Sequence, residues 1–261
     1  MDDTALPLPP AETMAKMLGV PLFRTDLHLP DYPDGEIGPW RVDHCAMHTG
    51  MGFWGTPYVM ADMAILLRRR DEGWDAWMSM SPYELESQEL GCRHAYGHTV
   101  VMGLGMAWIA INAALNPAVE RVTVIERDDD VIDLMKQSGV LERAPDDAGR
   151  KITIVRGDAL AWRPKDKVDF LYADIWLHLA EPQVLDDLRR MQDNVAAEII
   201  YFWGQELVIR ERAAVLAPGQ ELDDALLRRT VDESIALPLL IPEGLDYPAL
   251  IREAAPNRRV R

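Results

Sequence analysis

The side chains able to do chemistry gather between residues 88 and 178. "VVMGLGMAW" (100–108) ends an apolar, β-branched run with Gly103 and Gly105, and Glu126 closes a second such run, "RVTVIE", 21 positions after Gly105. Glycine at a strand-to-helix turn lets the main chain bend tightly and approach a ligand with no Cβ in the way. A carboxylate about 20 positions further on, at the next strand tip, can accept hydrogen bonds from two ribose hydroxyls. Taken alone, the glycine pair is equally a plain tight turn, and the acid equally a solvated strand end.

Two ligands fit that pair, a dinucleotide and S-adenosylmethionine. A dinucleotide site wants a third glycine where this chain has Trp108, so that pyrophosphate can reach the helix N-terminus. The indole argues against NAD. "KITIVRGDAL" places Asp158 just past a third strand, where a carboxylate can take the exocyclic amine of adenine, and "KVDFLYADIW" places Asp174 past a fourth, beside the reacting groups. His178, two residues beyond Trp176, is a second candidate for handling a proton. Trp108 and Trp176 are core residues or aromatic faces for an adenine or a cation.

The elements that must position these groups alternate. "TVVMG", "RVTVIE", "KITIV", "DFLYA" and "AEIIYFW" are short and continuously apolar, and "MAWIAINAAL", "DDDVIDLMKQ" and "EPQVLDDLRRMQDNV" between them are helical in character. Continuous apolar strands alternating with helices predict an α/β, Rossmann-like doubly wound parallel sheet, with ligands beyond the strands' carboxyl ends. Upstream, "SPYELESQELGCRHAYG" opens with Ser81, Pro82 and Glu84 as a capping box, which predicts a helix. Residues 1–55, rich in proline, glycine and aspartate, read as an irregular arm with a short helix at 11–18. "TPYVMADMAILLRRR" reads as a helix capped by Thr56, with Val59, Met60, Met63, Leu66 and Leu67 on one face. "WDAWMSM" (74–80) could form a strand. The expected domains are an N-terminal extension over 1–80 and a ligand-binding domain over 81–261. "ELDDALLRRTVDES" reads as helix, with no hairpin closing the chain.

In this order the motifs resemble those of the class I S-adenosylmethionine-dependent methyltransferases, over roughly residues 81–205. "VVMGLGMAW" is similar to that superfamily's first motif, "VTVIERDDDVI" to its ribose-binding motif, "GDAL" to its adenine motif and "DFLYADIW" to the motif at its fourth strand. The resemblance implies Gly103 and Gly105 under the methionine and sugar, Glu126 on the ribose, Asp158 with Ala159 on the adenine, and Asp174 near the sulfonium. Within the superfamily the spermidine-synthase-like branch looks nearest, because it carries a helix before the first strand with a glutamine reaching the cofactor. Gln88 matches that glutamine. That branch places two acids after strand four, where this chain has "ADIWLHL" with Asp174 only. The resemblance implies a methyltransferase acting on a small molecule; the alternatives are an aminopropyltransferase and a non-catalytic module that binds S-adenosylmethionine.

Bulk properties bound the partners. The 261-residue chain has a net charge of −16, which repels phosphate backbones and suits a cationic small molecule better than nucleic acid. The basic runs "LLRRR" and "NRRVR" are short. Two cysteines, Cys45 and Cys92, imply no disulfide framework and fit a reducing cytoplasm. No leader pattern and no apolar run of about 20 residues is visible, so no membrane partner is expected. "DHCAMH" and the His94/His98 pair fall short of a four-ligand zinc set, so no metal is expected. "TGMGFWGTPY" is a glycine and aromatic turn able to serve as a substrate-side loop. The fold family carries homodimerisation as an expectation.

Overall fold

A computed structural model describes residues 9–254. The terminal "NRRVR" lies outside them. Helix α1 (Ala11–Leu18) leads into four strands: β1 (Gly35–Ile37), β2 (Trp40–Met51), β3 (Pro57–Arg70) and β4 (Gly73–Ser79). These form an antiparallel sheet in the order β1-β2-β3-β4. Helix α2 (Pro82–His94) follows, capped by the Ser81 side chain accepting from the Glu84 N–H.

From there strands and helices alternate: β5 (Gly97–Met102), α3 (Trp108–Leu115), β6 (Val119–Glu126), α4 (Asp129–Ser138), β7 (Ile152–Arg156), β8 (Phe170–Ala173), α5 (Val184–Val195) and β9 (Ile199–Phe202). Helices α6 (Gln205–Leu216), α7 (Asp224–Arg229) and α8 (Tyr247–Glu253) close the described chain, and α7 runs on into a single π-helical stretch, Thr230–Ile235. The five strands β5 to β9 are all parallel, in the order β7-β6-β5-β8-β9. Every residue of β8 is buried, as a strand covered on both faces requires. The doubly wound sheet read from the alternation is the observed fold. Among the described residues no hairpin closes the sheet: Ile200 instead exchanges backbone bonds with Pro238 and Leu240, which line the β9 edge.

Two expectations for the extension are corrected. Residues 35–51 are strands, not an irregular arm, although the short helix at 11–18 is present. "TPYVMADMAILLRRR" is strand β3, not a helix. Asp62, at φ 50°, interrupts the ladder without changing its register: Cys45 pairs with Met63 and Met47 with Ala61, and Ala46 and Asp62 between them are left unpaired. The buried Val59, Met63 and Leu66 fall four and three apart, spacings that imitate one face of a helix. Long pairing with β2 and β4 then decides the conformation.

A second irregularity positions the site. The β3–β4 register shifts between Leu66 and Leu67, so Leu66 pairs with Met78, Leu67 with Ala76, and Trp77 is left over. Bulges re-aim side chains, and here Trp77 and Met78 are delivered to the parallel sheet's carboxyl end. The extension is fastened there by Trp40, whose Nε1 donates to Asp128 Oδ2 at 2.9 Å; within the extension the Arg68 guanidinium lies 5.1 and 5.2 Å from the Trp40 and Trp77 ring centres.

Helix α2 sits close on β8 and β9 because Gly91 has no side chain: a Cβ there would overlap the rings of Tyr172 and Tyr201. Gly91→Ala should lower the stability to urea unfolding by about 1–3 kcal/mol, the cost of overpacking a filled core. An unchanged midpoint would show that the helix is free to slide.

Candidate functional site

Strand order reverses between β5 and β8, and a cleft opens at that point beyond their carboxyl ends. The space between protein atoms there is about 910 Å³, its open mouth included. Gly103, Gly105, Glu126, Asp158, Ala159 and Asp174 all line it. Gln88 stands behind, fully buried, with Nε2 3.4 Å from Asp174 Oδ2. His178 is exposed and is not among the lining residues; its backbone N–H donates to Glu181.

Gly103 (φ 100°) and Gly105 (φ 49°) both occupy the left-handed region. What crowds Gly103 is protein: a Cβ there would overlap the Asp174 carbonyl oxygen. The glycine therefore lets the ends of β5 and β8 close on each other and brings Asp174 beside the loop. A Cβ on Gly105 would meet Met78 Sδ at 2.6 Å, so the second glycine makes room for the extension.

Glu126 organises the loop. Its Oε2 accepts from the Leu104 N–H at 2.9 Å, and its Oε1 from the N–H groups of Arg127 and Asp128 at 2.8 and 2.9 Å. A carboxylate has about four acceptor sites, so Oε2 keeps one for a ligand hydroxyl. Asp158 Oδ1 accepts from the Leu160 N–H at 2.9 Å, and its Oδ2 makes no bond among the described residues. Ala159 presents a small apolar surface beside it, 7% exposed. Desolvation raises the Asp174 carboxyl from its ordinary value to about 7.

Trp108 does not fill the cleft. Its side chain is packed into the wall at 1% exposure, with Nε1 donating to the His28 carbonyl at 2.8 Å. Sequence reasoning missed Trp77, Met78, Glu84 and Trp203, which also line the cleft. The signal for Trp203 was available, since it directly follows a strand. Glu84 looked like a cap residue only, and its Oε2 accepts from the Ser79 N–H and hydroxyl.

Two of the other histidines, His44 and His98, have ordinary partners. His44 bonds Asp62 and the Tyr32 carbonyl, and His98 bonds the Lys167 carbonyl and Thr123. Among the described residues, no three His, Cys, Asp or Glu side chains converge on a metal-sized point. No described helix is long and apolar enough to cross a membrane.

No family model matches the sequence, and no curated protein matches it. Solved structures do. A glycopeptide N-methyltransferase, MtfA, complexed with S-adenosyl-L-methionine is 20% identical over 42% of this chain and 43% of its own, with a TM-score of 0.32. The DhpI–SAH complex is 15% identical over 41% and 48%, with a TM-score of 0.31. The S-adenosylmethionine-dependent methyltransferase SibL in its apo form is 21% identical over 40% and 29%, with a TM-score of 0.31. The chain thus spans less than half the length of each.

Two measurements follow from the geometry. Glu126→Ala should cost about 1–3 kcal/mol of stability with no ligand present, because it strands backbone N–H groups, whereas a merely solvated acid would cost under about 0.5 kcal/mol. Carbon-13 NMR of the side-chain carboxyls should show a group titrating near 7 that is missing in Asp174→Asn. If that variant loses no such titration, Asp174 is open to bulk water.

Proposed function

We propose that this protein is an S-adenosylmethionine-dependent methyltransferase acting on a small molecule. One observation carries the reading: the carboxylates of Glu126, Asp158 and Asp174 stand beyond three parallel strands around one cleft, over a loop whose two glycines have positive φ. The residues fit the cofactor. Glu126 retains an acceptor site for the ribose, Asp158 Oδ2 is free for the adenine amine with Ala159 beside it, and the Gly103–Gly105 loop lies beneath the sugar and methionine.

When bound, the cofactor supplies an electrophilic methyl group on a sulfonium. The chain's own residues have a limited task, because such a transfer needs alignment and exclusion of water more than strong acid–base chemistry. The indoles of Trp77, Trp108, Trp176 and Trp203 wall the cleft and keep water out. Asp174, with its carboxyl poised near neutrality, accepts the proton of the attacking group; a base works best when its pKa lies near the working pH. Gln88, 3.4 Å from Asp174 Oδ2, holds that carboxylate in place. The glutamine match thus reaches the cleft through Asp174. His178, exposed outside the lining, has no part in this reading.

Isothermal titration with S-adenosylhomocysteine tests it. Saturable heat is expected, weakened at least about tenfold in Glu126→Gln and Asp158→Asn, each removing one charge-assisted acceptor. Absence of heat with both S-adenosylhomocysteine and S-adenosylmethionine, at sub-millimolar protein, would remove the proposal.

A further inference from the structure

The strand order divides the cleft into two ends of different chemistry. On the β6–β7 side stand Glu126, Arg127 and Asp158, the set assigned above to ribose and adenine. On the β8–β9 side stand Asp174, Trp176 and Trp203. Helix α2, packed on β8 and β9 through Gly91, adds Glu84 to that side. Among the described residues that line the cleft Arg127 is the only cation, and it belongs to the nucleoside end.

The indoles at the second end have spent their donors. Trp176 Nε1 donates to Asp187 Oδ2 at 2.9 Å, and Trp203 Nε1 donates to Ser87 Oγ at 2.9 Å. What they offer a ligand is ring surface, whose quadrupole attracts cations. Asp174 and Glu84 offer acceptor oxygens. An end built from π surface and carboxylates repels anions and gives a neutral hydroxyl little advantage, while an ammonium group gains from both components.

Resting on the cofactor reading above, we propose that the methyl acceptor is a cationic amine, seated between Trp176 and Trp203 with its ammonium group directed to Asp174 and Glu84. The amine binds as the ammonium ion, and in the step before methyl transfer its N–H proton passes to the Asp174 carboxylate. The amine is left neutral with a free lone pair, and the carboxyl holds the proton. The net charge of −16 draws cations towards the molecule before they reach the cleft.

The test uses the full chain saturated with S-adenosylhomocysteine. n-Butylamine and benzylamine are titrated against their matched alcohols and carboxylates, butanol and butyrate, benzyl alcohol and benzoate. At least one amine should bind about tenfold or more tightly than its alcohol, with no measurable binding of either carboxylate. That preference should shrink towards unity in Asp174→Asn, in Glu84→Gln and in Trp176→Leu, each first shown to melt cooperatively. Should one variant fail to fold, the other two decide the matter. Alcohols binding as well as amines, carboxylates binding at all, or neither amine binding to a complex that does hold S-adenosylhomocysteine would overturn the amine proposal and leave the cofactor reading intact. No heat from S-adenosylhomocysteine itself would overturn both.

Discussion

The ends of β5 and β8 must touch, and the touch is backbone on backbone. Gly103 has no Cβ, so the carbonyl of Asp174 fits against it, and both the positive φ and the missing side chain are required. The rest of the site hangs from that contact. It fixes the start of the loop that donates from Leu104 to Glu126, and it fixes Asp174, whose carboxyl is desolvated. A strand reversal creates a crevice in any doubly wound sheet. Here the crevice has a floor because two strand ends meet where only glycine is tolerated.

Glu126 shows how one side chain can be structural and still available. Three backbone N–H groups converge on it, which makes the loop's conformation depend on a carboxylate at this position. The same three bonds hold the carboxylate in one orientation, so a ligand hydroxyl would meet a preset acceptor and not a mobile one. Preorganisation of this sort cuts the ordering cost of binding. The acid therefore contributes to affinity partly through bonds that exist before any ligand arrives.

The parallel sheet was legible in the sequence because its strands β5, β8 and β9 are buried on both faces and read as unbroken apolar runs. The carboxylates were legible because each ends such a run. The antiparallel extension was not. Its strands β2 and β3 are half-buried, and the buried Val59, Met63 and Leu66 of β3 fall at spacings that mimic a helix. Trp77 and Met78 escaped for a related reason: a register shift beside Leu66, invisible in the sequence, aims them at the cleft. Glu84 was visible only as a cap, because nothing local shows that the first turn of α2 lies over β8 and β9. Gly91 records that approach, yet its meaning emerges only when the tyrosines it faces are known.

The C-terminal segment supplies the wall behind the cleft, and a buried acid fastens it. Glu206, fully buried, accepts from the hydroxyls of Tyr201 and Tyr247 at 3.1 and 2.9 Å through Oε1. Its Oε2 has no partner among the described residues, and desolvation lifts its carboxyl to about 7. An unpartnered buried oxygen is costly as a charge and much less so as a protonated acid. The interior thus favours the neutral form, and Tyr247 ties α8 to the end of β9 through it. Trp203 lies three residues before Glu206, and its Nε1 is held by Ser87 of α2. The indole at the cleft is thus held by a helix that precedes the sheet, next in sequence to a helix anchored through Glu206. That brace leaves the ring a fixed surface to present, which is what recognition by a π face requires.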